Sequence, residues 1–138
     1  MPVAWKFPAA LRAIVQRLPE GPPAHLAALA LNAALHAGLL QRAALEPLAG
    51  KSLCLEASDA GARVRLEYGT RGFRAYSRSG ITDFTLRATL ADYARLALRR
   101  EDPDTLFFNR RLVIEGDTEL GLVAKNALDA VDWSKIGL

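Results

Sequence analysis

Apolar residues recur with a helical period near both ends of the chain and with a strand period in its middle. The first helix is predicted over residues 8–18, where Pro8 suits the first turn because a proline there loses no helical hydrogen bond. Its apolar residues are spaced i, i+3, i+4 and i+7 and form one stripe: they are Leu11, Ile14, Val15 and Leu18. The proline-rich segment 19–23 should then end this helix.

A second helix is predicted from Pro22 or Pro23 to about Leu45, and it is apolar on nearly every side. One side carries Leu26, Leu29 and Leu40, and the other carries Leu31, Leu35, Leu39 and Leu45. Such a helix must be covered on more than one side, by the sheet and other helices, by a partner chain or by lipid. Polar residues interrupt it too often to favour a membrane span: they are His25, Asn32, His36, Gln41 and Arg42.

Four segments with alternating apolar and polar residues follow, and this period of two predicts strands. They cover residues 51–57, 62–68, 72–77 and 83–88. Turn residues at 59–61, 69–72 and 79–80 separate them, which predicts hairpins and therefore antiparallel pairing. One face of this sheet would be apolar and the other charged, as expected for a sheet covered by a single layer of helices. The charged face would carry Glu56, Arg65, Glu67, Arg74, Tyr76, Arg78 and Arg87.

The last third of the chain predicts two short helices, a strand and a final helix. Thr89 can cap the first of these helices, with Asp92 in a capping-box position, and Asp102 begins a second, strongly apolar helical turn. Residues 109–133 then form a β-branched strand that leads into an amphipathic helix, for which Asp117 is a good N-cap. One face of that helix carries Leu120, Val123, Ala124, Ala127, Leu128 and Val131.

These elements predict an α+β fold in a single domain. Residues 1–21 would form a leading amphipathic helix and a proline-rich turn, and residues 22–138 would form the core. With 138 residues, of which 51% are hydrophobic, the chain can bury a core without a disulfide or a metal. Cys54 is the single cysteine, which excludes a disulfide within the chain, and we read no signal peptide at the N-terminus. We therefore expect a cytoplasmic protein.

No set of residues carries a recognisable catalytic or metal-binding pattern. His25 and His36 share a helical stripe but lie about three turns apart, whereas metal ligands on one helix need a spacing of three or four residues. Cys54 has no histidine near it in the sequence that could activate it. Asp117 is better explained as a helix cap than as an acid–base group. We predict a protein that is not an enzyme and that uses no cofactor and no metal.

The basic residues of the charged face resemble an RNA-binding platform only in outline. The net charge of +3 permits weak attraction to nucleic acid or anionic lipid but does not require it. An RNA platform needs several stacking aromatic side chains, and this face offers Tyr76. We therefore predict no nucleic-acid partner.

The apolar residues of the sheet and the helices form the larger candidate site. Strand alternation and helix faces select Leu53, Leu55, Val64, Leu66, Phe73, Phe84, Leu86, Tyr93, Leu96, Leu106, Phe107, Phe108, Ile114, Leu120, Val123 and Leu128. They would form either an ordinary packed core or the lining of a cavity for an apolar ligand. Periodicity alone favours the packed core, because most protein interiors are close-packed.

The end of the chain resembles the lipid-binding family of sterol carrier protein 2 (SCP2). The stretch RLVIEGDTELGLVAKN, residues 111–126, is similar to the family's C-terminal signature of a strand, a Gly-Asp turn and an apolar helix. The signature region spans residues 104–126, and the family core would run from about residue 39 to residue 133. This resemblance implies a five-stranded, mainly antiparallel sheet with helices on one face and an apolar tunnel between the two layers.

Within that family the chain looks most like bacterial accessory factors of ubiquinone biosynthesis. The resemblance implies a non-catalytic role, in which the protein holds the polyprenyl tail of ubiquinone intermediates while pathway enzymes modify the head group. The iron–sulfur hydroxylase subunits UbiU and UbiV of the oxygen-independent branch would be its partners. Two alternatives remain: a general carrier of phospholipids or fatty-acyl chains, and a protein-interaction module without a ligand, which could be a homodimer.

A carrier that takes a lipid from a membrane must touch the bilayer. An interfacial helix combines aromatic side chains with basic ones, and the first predicted helix and the residues before it offer both. The candidate contact residues are Trp5, Lys6, Phe7, Arg12 and Arg17. We therefore expect transient, peripheral contact with the inner membrane.

Overall fold

The computed structural model describes residues 9–10, 21–76, 81–98 and 100–131, which contain a five-stranded sheet and five helices. The helices are α1 (Gly21–His36), α2 (Arg42–Leu45), α3 (Leu90–Ala97), α4 (Pro103–Phe108) and α5 (Thr118–Asp129), and a single 3-10 turn covers Glu46–Leu48. The strands are β1 (Ser52–Ala57), β2 (Ala62–Gly69), β3 (Gly72–Ala75), β4 (Phe84–Ala88) and β5 (Val113–Gly116). The predicted α+β class and the five-stranded, mainly antiparallel sheet are confirmed. The helix predicted at residues 8–18 lies outside the described residues, apart from residues 9 and 10.

The strands follow the spatial order β3-β2-β1-β4-β5. The two predicted hairpins β1–β2 and β2–β3 are present, and β4 also pairs antiparallel with β5. The prediction of a third hairpin was wrong, because β4 pairs in parallel with β1 and does not touch β3. Turn residues determine where the chain reverses, but they do not determine which strand the next segment pairs with. Here the register Leu53–Phe84 and Leu55–Leu86 places four apolar side chains on the same face of the sheet.

Helix α1 is joined to the edge strand β3 by a side-chain amide. The Asn32 Nδ2 group donates to the carbonyl oxygen of Phe73 at 2.8 Å, and the backbone N–H of Phe73 donates to Asn32 Oδ1 at 2.7 Å. The amide therefore takes the place of one residue of a neighbouring strand. Gly72 permits this close approach, because a Cβ atom there would lie 2.5 Å from Asn32 Oδ1.

Helix α1 ends at His36, so the prediction of one helix to Leu45 was wrong. Gly38 adopts a left-handed backbone conformation with φ of 78°, and the N–H of Leu39 donates to the carbonyl of Ala34 at 2.9 Å. This is the Schellman arrangement that ends many helices, and the glycine was the signal for it. The chain turns there, so Leu40 is buried and does not share a side with Leu26 and Leu29 as predicted.

The outer side of α1 is not covered in the way that its composition suggested. Leu26 is 68% exposed and Leu29 is 67% exposed, whereas Ala24, Ala28 and Leu35 are buried against the sheet side. The expectation that this helix must be covered on more than one side was therefore wrong for the stripe of Leu26 and Leu29.

Helices α3, α4 and α5 begin at the predicted caps. Thr89 accepts a hydrogen bond from the N–H of Asp92, Asp102 accepts one from Thr105, and Asp117 accepts one from Leu120. Each side chain satisfies a backbone N–H that has no partner within its helix. Local sequence therefore determines where α3, α4 and α5 begin.

The charged face of the sheet is a ladder of ion pairs between neighbouring strands. Glu56 of β1 accepts from Arg63 of β2 at 2.9 Å and pairs with Arg87 of β4, which also pairs with Glu115 of β5. Burial alone would raise the pKa of Glu56, but the hydrogen bonds from Arg87 and Arg63 outweigh it and lower the pKa below its ordinary value. The predicted division into one apolar and one charged face is confirmed across these strands.

Candidate functional site

A cavity of about 620 Å³ lies between the helices and the apolar face of the sheet. Its floor is formed by side chains from four strand positions: Leu53, Leu55, Phe73 and Leu86. Its walls come from α1 and the segment after it, with Leu31, Ala34, Leu39, Leu40, Leu45 and Leu48, and from α5 with Ala124, Ala127 and Leu128. Both floor and walls are aliphatic or aromatic, and the volume lies within the range that small-molecule sites have.

The predicted candidate residues divide into those that line the cavity and those that fill the core around it. The lining contains Leu53, Leu55, Phe73, Leu86, Tyr93, Leu96 and Leu128. Leu66, Phe84 and Leu106 are fully buried in the core without lining the cavity, and Val64, Ile114, Leu120 and Val123 pack against that core while partly exposed. The structure therefore contains both a packed core and a lined cavity, which the sequence pattern had offered as alternatives.

Phe107 and Phe108, which were predicted to face inward with Leu106, do not line the cavity. Phe107 is half-buried under Lys125, whose Nζ lies 5.7 Å from the ring centroid, and Phe108 is 78% exposed. Helix α4 has only six residues, and successive residues of a helix point about 100° apart. One of three consecutive apolar residues can face the core, and Leu106 occupies that direction.

Most of the cavity-lining residues that sequence reasoning missed come from two regions, and the others are Leu112, Ala124, Ala127 and Val131. The first is the segment from α1 to the 3-10 turn. Its unusual apolar content was the signal that could have identified it. The sequence pattern did not show which leucines share a side, because the helix ends near Gly38. The second is the rim of the cavity, where the polar residues Arg100, Glu101, Asp102 and Asp129 stand beside Pro103. No pattern in the sequence marks this rim, because its residues lie on the α3–α4 connection and at the end of α5.

Tyr93 supplies the one hydroxyl group among the described residues that line the cavity. Its Oη donates to the backbone carbonyls of Glu56 at 3.0 Å and Leu86 at 3.1 Å, and so ties α3 to β1 and β4. Burial, together with the nearby Cys54 and Glu56, raises the pKa of Tyr93 above its ordinary value. The hydroxyl is therefore neutral at physiological pH and already engaged with the sheet, which makes Tyr93 a wall of the cavity.

An ion-pair network holds the rim in place. Arg111 donates to the buried carboxylate of Asp92 at 2.5 Å and to the rim residue Glu101 at 2.9 Å, while Arg95 donates to Asp92 at 2.7 Å. Burial alone would raise the pKa of Asp92, but the hydrogen bonds from Arg111 and Arg95 outweigh it and lower the pKa. Glu101 is thus connected through Arg111 to a fixed buried charge, so one end of the apolar cavity carries an ordered polar edge.

The other candidate groups do not come together. His25 and His36 are exposed, and within residues 21–76, 81–98 and 100–131 no three His, Cys, Asp or Glu side chains form a group that could hold a metal ion. In the same part of the chain, no helix combines the length and the apolar character that crossing a bilayer requires. The predicted membrane-contact residues lie outside the described residues: they are Trp5, Lys6, Phe7, Arg12 and Arg17.

Comparison with protein families gives a match over most of the described chain. The model of the SCP-2 sterol transfer family matches residues 31–129. The chain is also 42% identical over 95 residues to the ubiquinone biosynthesis accessory factor UbiT of Escherichia coli K12, a match that covers 67% of this chain. The chain spans about half the length of that relative, since the match covers 52% of it.

Comparison with solved structures gives the same fold. A structure described as "UbiJ-SCP2 Ubiquinone synthesis protein" matches with a TM-score of 0.59 at 20% identity, over 78% of this chain and 96% of that one. The apo form of sterol carrier protein 2 from Yarrowia lipolytica matches with a TM-score of 0.51 at 13% identity, over 83% of this chain and 95% of that one. At these identities the likeness concerns the fold alone.

Proposed function

Because this chain belongs to the SCP-2 sterol transfer family, we propose that it is a non-catalytic, lipid-binding accessory factor of ubiquinone biosynthesis. The cavity would hold the polyprenyl tail of a ubiquinone intermediate, and the polar rim would lie beside the head group. The observation that carries this proposal is the cavity of about 620 Å³ with an aliphatic and aromatic lining. The similarity to UbiT supports the choice of pathway.

The energetics favour tail binding but require a membrane step. Burying roughly 400 Å² of apolar tail in a dry cavity is worth ~10 kcal/mol relative to water. A tail in a bilayer is already surrounded by hydrocarbon, so its transfer into the cavity gains little net hydrophobic energy. The protein would therefore take up its ligand while it contacts the membrane, and Trp5 and Phe7 are the proposed contact residues.

The proposed partners are enzymes that modify the head group while the tail is held. The hydroxylase subunits UbiU and UbiV, and with them the oxygen-independent branch of the pathway, are the partners that we propose. Removing the gene should then lower the ubiquinone content of cells grown without oxygen and leave that of aerated cells unchanged. An equal loss under both conditions would contradict the assignment to this branch.

The cavity itself can be tested by filling it. Ala34 lines the cavity, whereas its neighbour Ala33 is exposed on the same helix. We expect Ala34→Phe to place a ring in the cavity and to weaken binding of a prenylated phenol by at least tenfold, because the ring displaces several carbon atoms of the ligand, each worth about 0.8 kcal/mol when buried. Ala33→Phe is the matched control and should bind as the unchanged protein does. Binding can be measured by titration with a prenylated hydroxybenzoate, and equal affinities of the two variants would contradict the proposal.

The lipid that the protein carries can be identified directly. Native mass spectrometry of freshly purified protein, followed by solvent extraction, should recover a prenylated quinone precursor. Recovery of phospholipid alone would instead favour a general lipid carrier. A stable dimer without any extractable lipid would favour an interaction module, for which the exposed Leu26 and Leu29 would be the first contact surface to examine.

Membrane contact has its own test. Replacing both Trp5 and Phe7 with serine should reduce sedimentation with liposomes that contain anionic phospholipid, because aromatic side chains supply much of the interfacial affinity. Unchanged sedimentation of this double variant would reject these residues as the contact, without affecting the proposal for the cavity.

A further inference from the structure

Helix α4 carries an exposed aromatic side chain close to the cavity. Phe108 is 78% exposed, whereas Leu106, two positions earlier, is completely buried. Two such positions are about 200° apart on a helix, so the ring of Phe108 points away from the core. The first residue of the helix, Pro103, lines the cavity, and six residues at the helical rise span ~9 Å. The backbone of Phe108 therefore lies within about 10 Å of a residue that lines the cavity.

An exposed arginine stands at each end of this helix. Arg111, which follows α4, donates to Glu101, which precedes it, at 2.9 Å, so the two ends of the segment are in contact. Arg100 and Arg110 each lie one residue from this pair, and both are exposed. Within the described part of the chain, neither of their guanidinium groups forms an ion pair, in contrast to that of Arg111. Arg100 also lines the cavity, which makes this surface continuous with the rim.

Arg110 occupies a backbone conformation that usually belongs to glycine. Its φ is 59°, and among the described residues it is the single residue other than glycine with a positive φ. The N–H of Arg111 donates to the carbonyl of Leu106 at 2.8 Å, which is the closing bond of a helix end that normally contains a left-handed glycine. An arginine there is sterically strained. Strain of this kind is concentrated at residues that have a function, so the Arg110 side chain is a candidate for one.

The carboxylates near this surface do not cancel the two arginines. Glu101 is held by the ion pair already described, and Asp104 is paired with the buried Lys125. Asp102 accepts a backbone N–H as the cap of α4, and Asp129 lines the cavity from α5. None of these four carboxylates contacts Arg100 or Arg110, as far as the described residues show. The surface therefore presents one aromatic ring and two unpaired positive charges.

We propose that Arg100, Phe108 and Arg110 form a membrane-docking surface, the α4 patch, for a bilayer that contains anionic phospholipid. This inference rests on the proposed function, in which the ligand is taken up during contact with a membrane. The aromatic ring enters the boundary between head groups and acyl chains. The two arginines beside it bind lipid phosphates. Docking through the α4 patch brings the bilayer to the rim of the cavity, because Arg100 belongs to both.

Sedimentation with vesicles tests the aromatic part of the α4 patch. One kind of vesicle is phosphatidylcholine alone, and the other is an equal mixture of phosphatidylcholine and phosphatidylglycerol. We expect Phe108→Ser to weaken binding to both kinds about fivefold, because the ring supplies apolar contact in either case. The control is Leu26→Ser on α1, where the side chain is 68% exposed but lies outside the patch. It should change binding by less than about twofold.

Arg110→Gly separates the charge of this arginine from its place in the fold. The substitution relieves the strained backbone and should raise the Tm by about 3 °C. It should nevertheless weaken binding to the mixed vesicles about fivefold and leave binding to phosphatidylcholine unchanged. Arg71→Gly is the control, because Arg71 is exposed in the turn between β2 and β3, and β3 and β5 are opposite edges of the sheet. It removes the same charge and should keep binding within about twofold.

Four results would overturn this inference. The unchanged protein could fail to sediment with either kind of vesicle, Phe108→Ser or Arg110→Gly could sediment with the mixed vesicles as well as the unchanged protein, or the controls could lose as much binding as the patch variants. Loss of binding to a pathway enzyme with unchanged sedimentation would assign this surface to a protein partner instead.

Failure of the proposed function has a different signature. Phe108 and Arg110 do not line the cavity, so their variants should bind a prenylated hydroxybenzoate in the absence of membranes as the unchanged protein does. If the proposed function is wrong, the unchanged protein binds no prenylated ligand in this titration, whatever its sedimentation with vesicles.

Discussion

The two faces of the sheet are built from alternate residues of the same strands, yet they differ in packing and in what they can bind. On β1, Leu53 and Leu55 point toward the helices and form part of the cavity floor, while Glu56 points away and pairs with arginines of both neighbouring strands. The apolar face is also not uniform. Leu66 of β2 is completely buried, whereas Leu55 opposite Val64 meets empty space.

This difference separates stability from binding. On the charged face, the charged side chains form ion pairs that are exposed to solvent. Each such pair contributes little to the free energy of unfolding. The apolar face contains both sealed positions, which contribute most of the stability, and open positions, where some packing is given up to leave room for a ligand. Substitutions at neighbouring positions of the same strands can therefore test whether stability and binding are separated in this way.

The largest effect is expected at a sealed position of the apolar face. Leu66→Ala removes a fully buried side chain and leaves a new void, which should lower the free energy of unfolding by about 3 kcal/mol. Glu67→Ala, one residue further along β2, is the matched substitution on the charged face and should cost less than about 1 kcal/mol. Urea denaturation of both variants measures the two values. Similar losses would mean that the faces do not differ in the way proposed here.

A smaller loss of stability is expected where the same face opens into the cavity. Leu55→Ala enlarges a space that already exists and removes a side chain that is only partly buried, so it should cost about 1.5 kcal/mol, roughly half of the Leu66→Ala value. The same substitution should weaken a prenylated ligand several-fold, while Leu66→Ala should leave affinity nearly unchanged in the folded protein. A Leu55→Ala loss as large as that of Leu66→Ala would indicate that the cavity closes in solution.

On the charged face, the central carboxylate should give a pH-dependent effect. Because Arg87 and Arg63 lower the pKa of Glu56 in the folded protein below its ordinary value of 4.5, the charged carboxylate stabilises the fold above that pH. Its contribution is lost as the pH falls through the lowered, folded-state pKa. Glu56→Gln should therefore cost about 1 kcal/mol at pH 7 and nothing measurable once the pH lies well below the lowered, folded-state pKa. Thermal unfolding of both proteins across this range measures the difference, and a cost that is independent of pH would contradict it.

The smallest effect is expected at the exposed end of the ladder. Arg74 donates to Glu67 at 2.5 Å, but its side chain is 77% exposed, so solvent screens the pair. Arg74→Ala should change the free energy of unfolding by less than about 0.5 kcal/mol, and added salt should make the difference smaller still. A loss above 1 kcal/mol would show that the ladder acts as a cooperative network.

Prediction from the sequence was most accurate where the signal is local. The starts of α3, α4 and α5 were correct because Thr89, Asp102 and Asp117 each bond to a backbone N–H within three residues. Strand alternation is local for the same reason, since it assigns Leu53 and Leu55 to one face of β1 whatever their partners are. Gly38 was also a local signal for the end of α1. The apolar residues on both sides of that glycine nevertheless favoured the prediction of one continuous helix.

The sequence was thus sufficient to predict the strands, the starts of α3, α4 and α5, the two faces of the sheet and the resemblance to a lipid-binding family. The tertiary structure was needed to show that β4 lies beside β1, that Leu66 is sealed while Leu55 borders a cavity, and that Arg100 and Asp129 both line that cavity. The physical reason is that backbone bonds and caps depend on neighbours along the chain. An empty volume depends instead on how side chains from distant segments fail to fill the space between them.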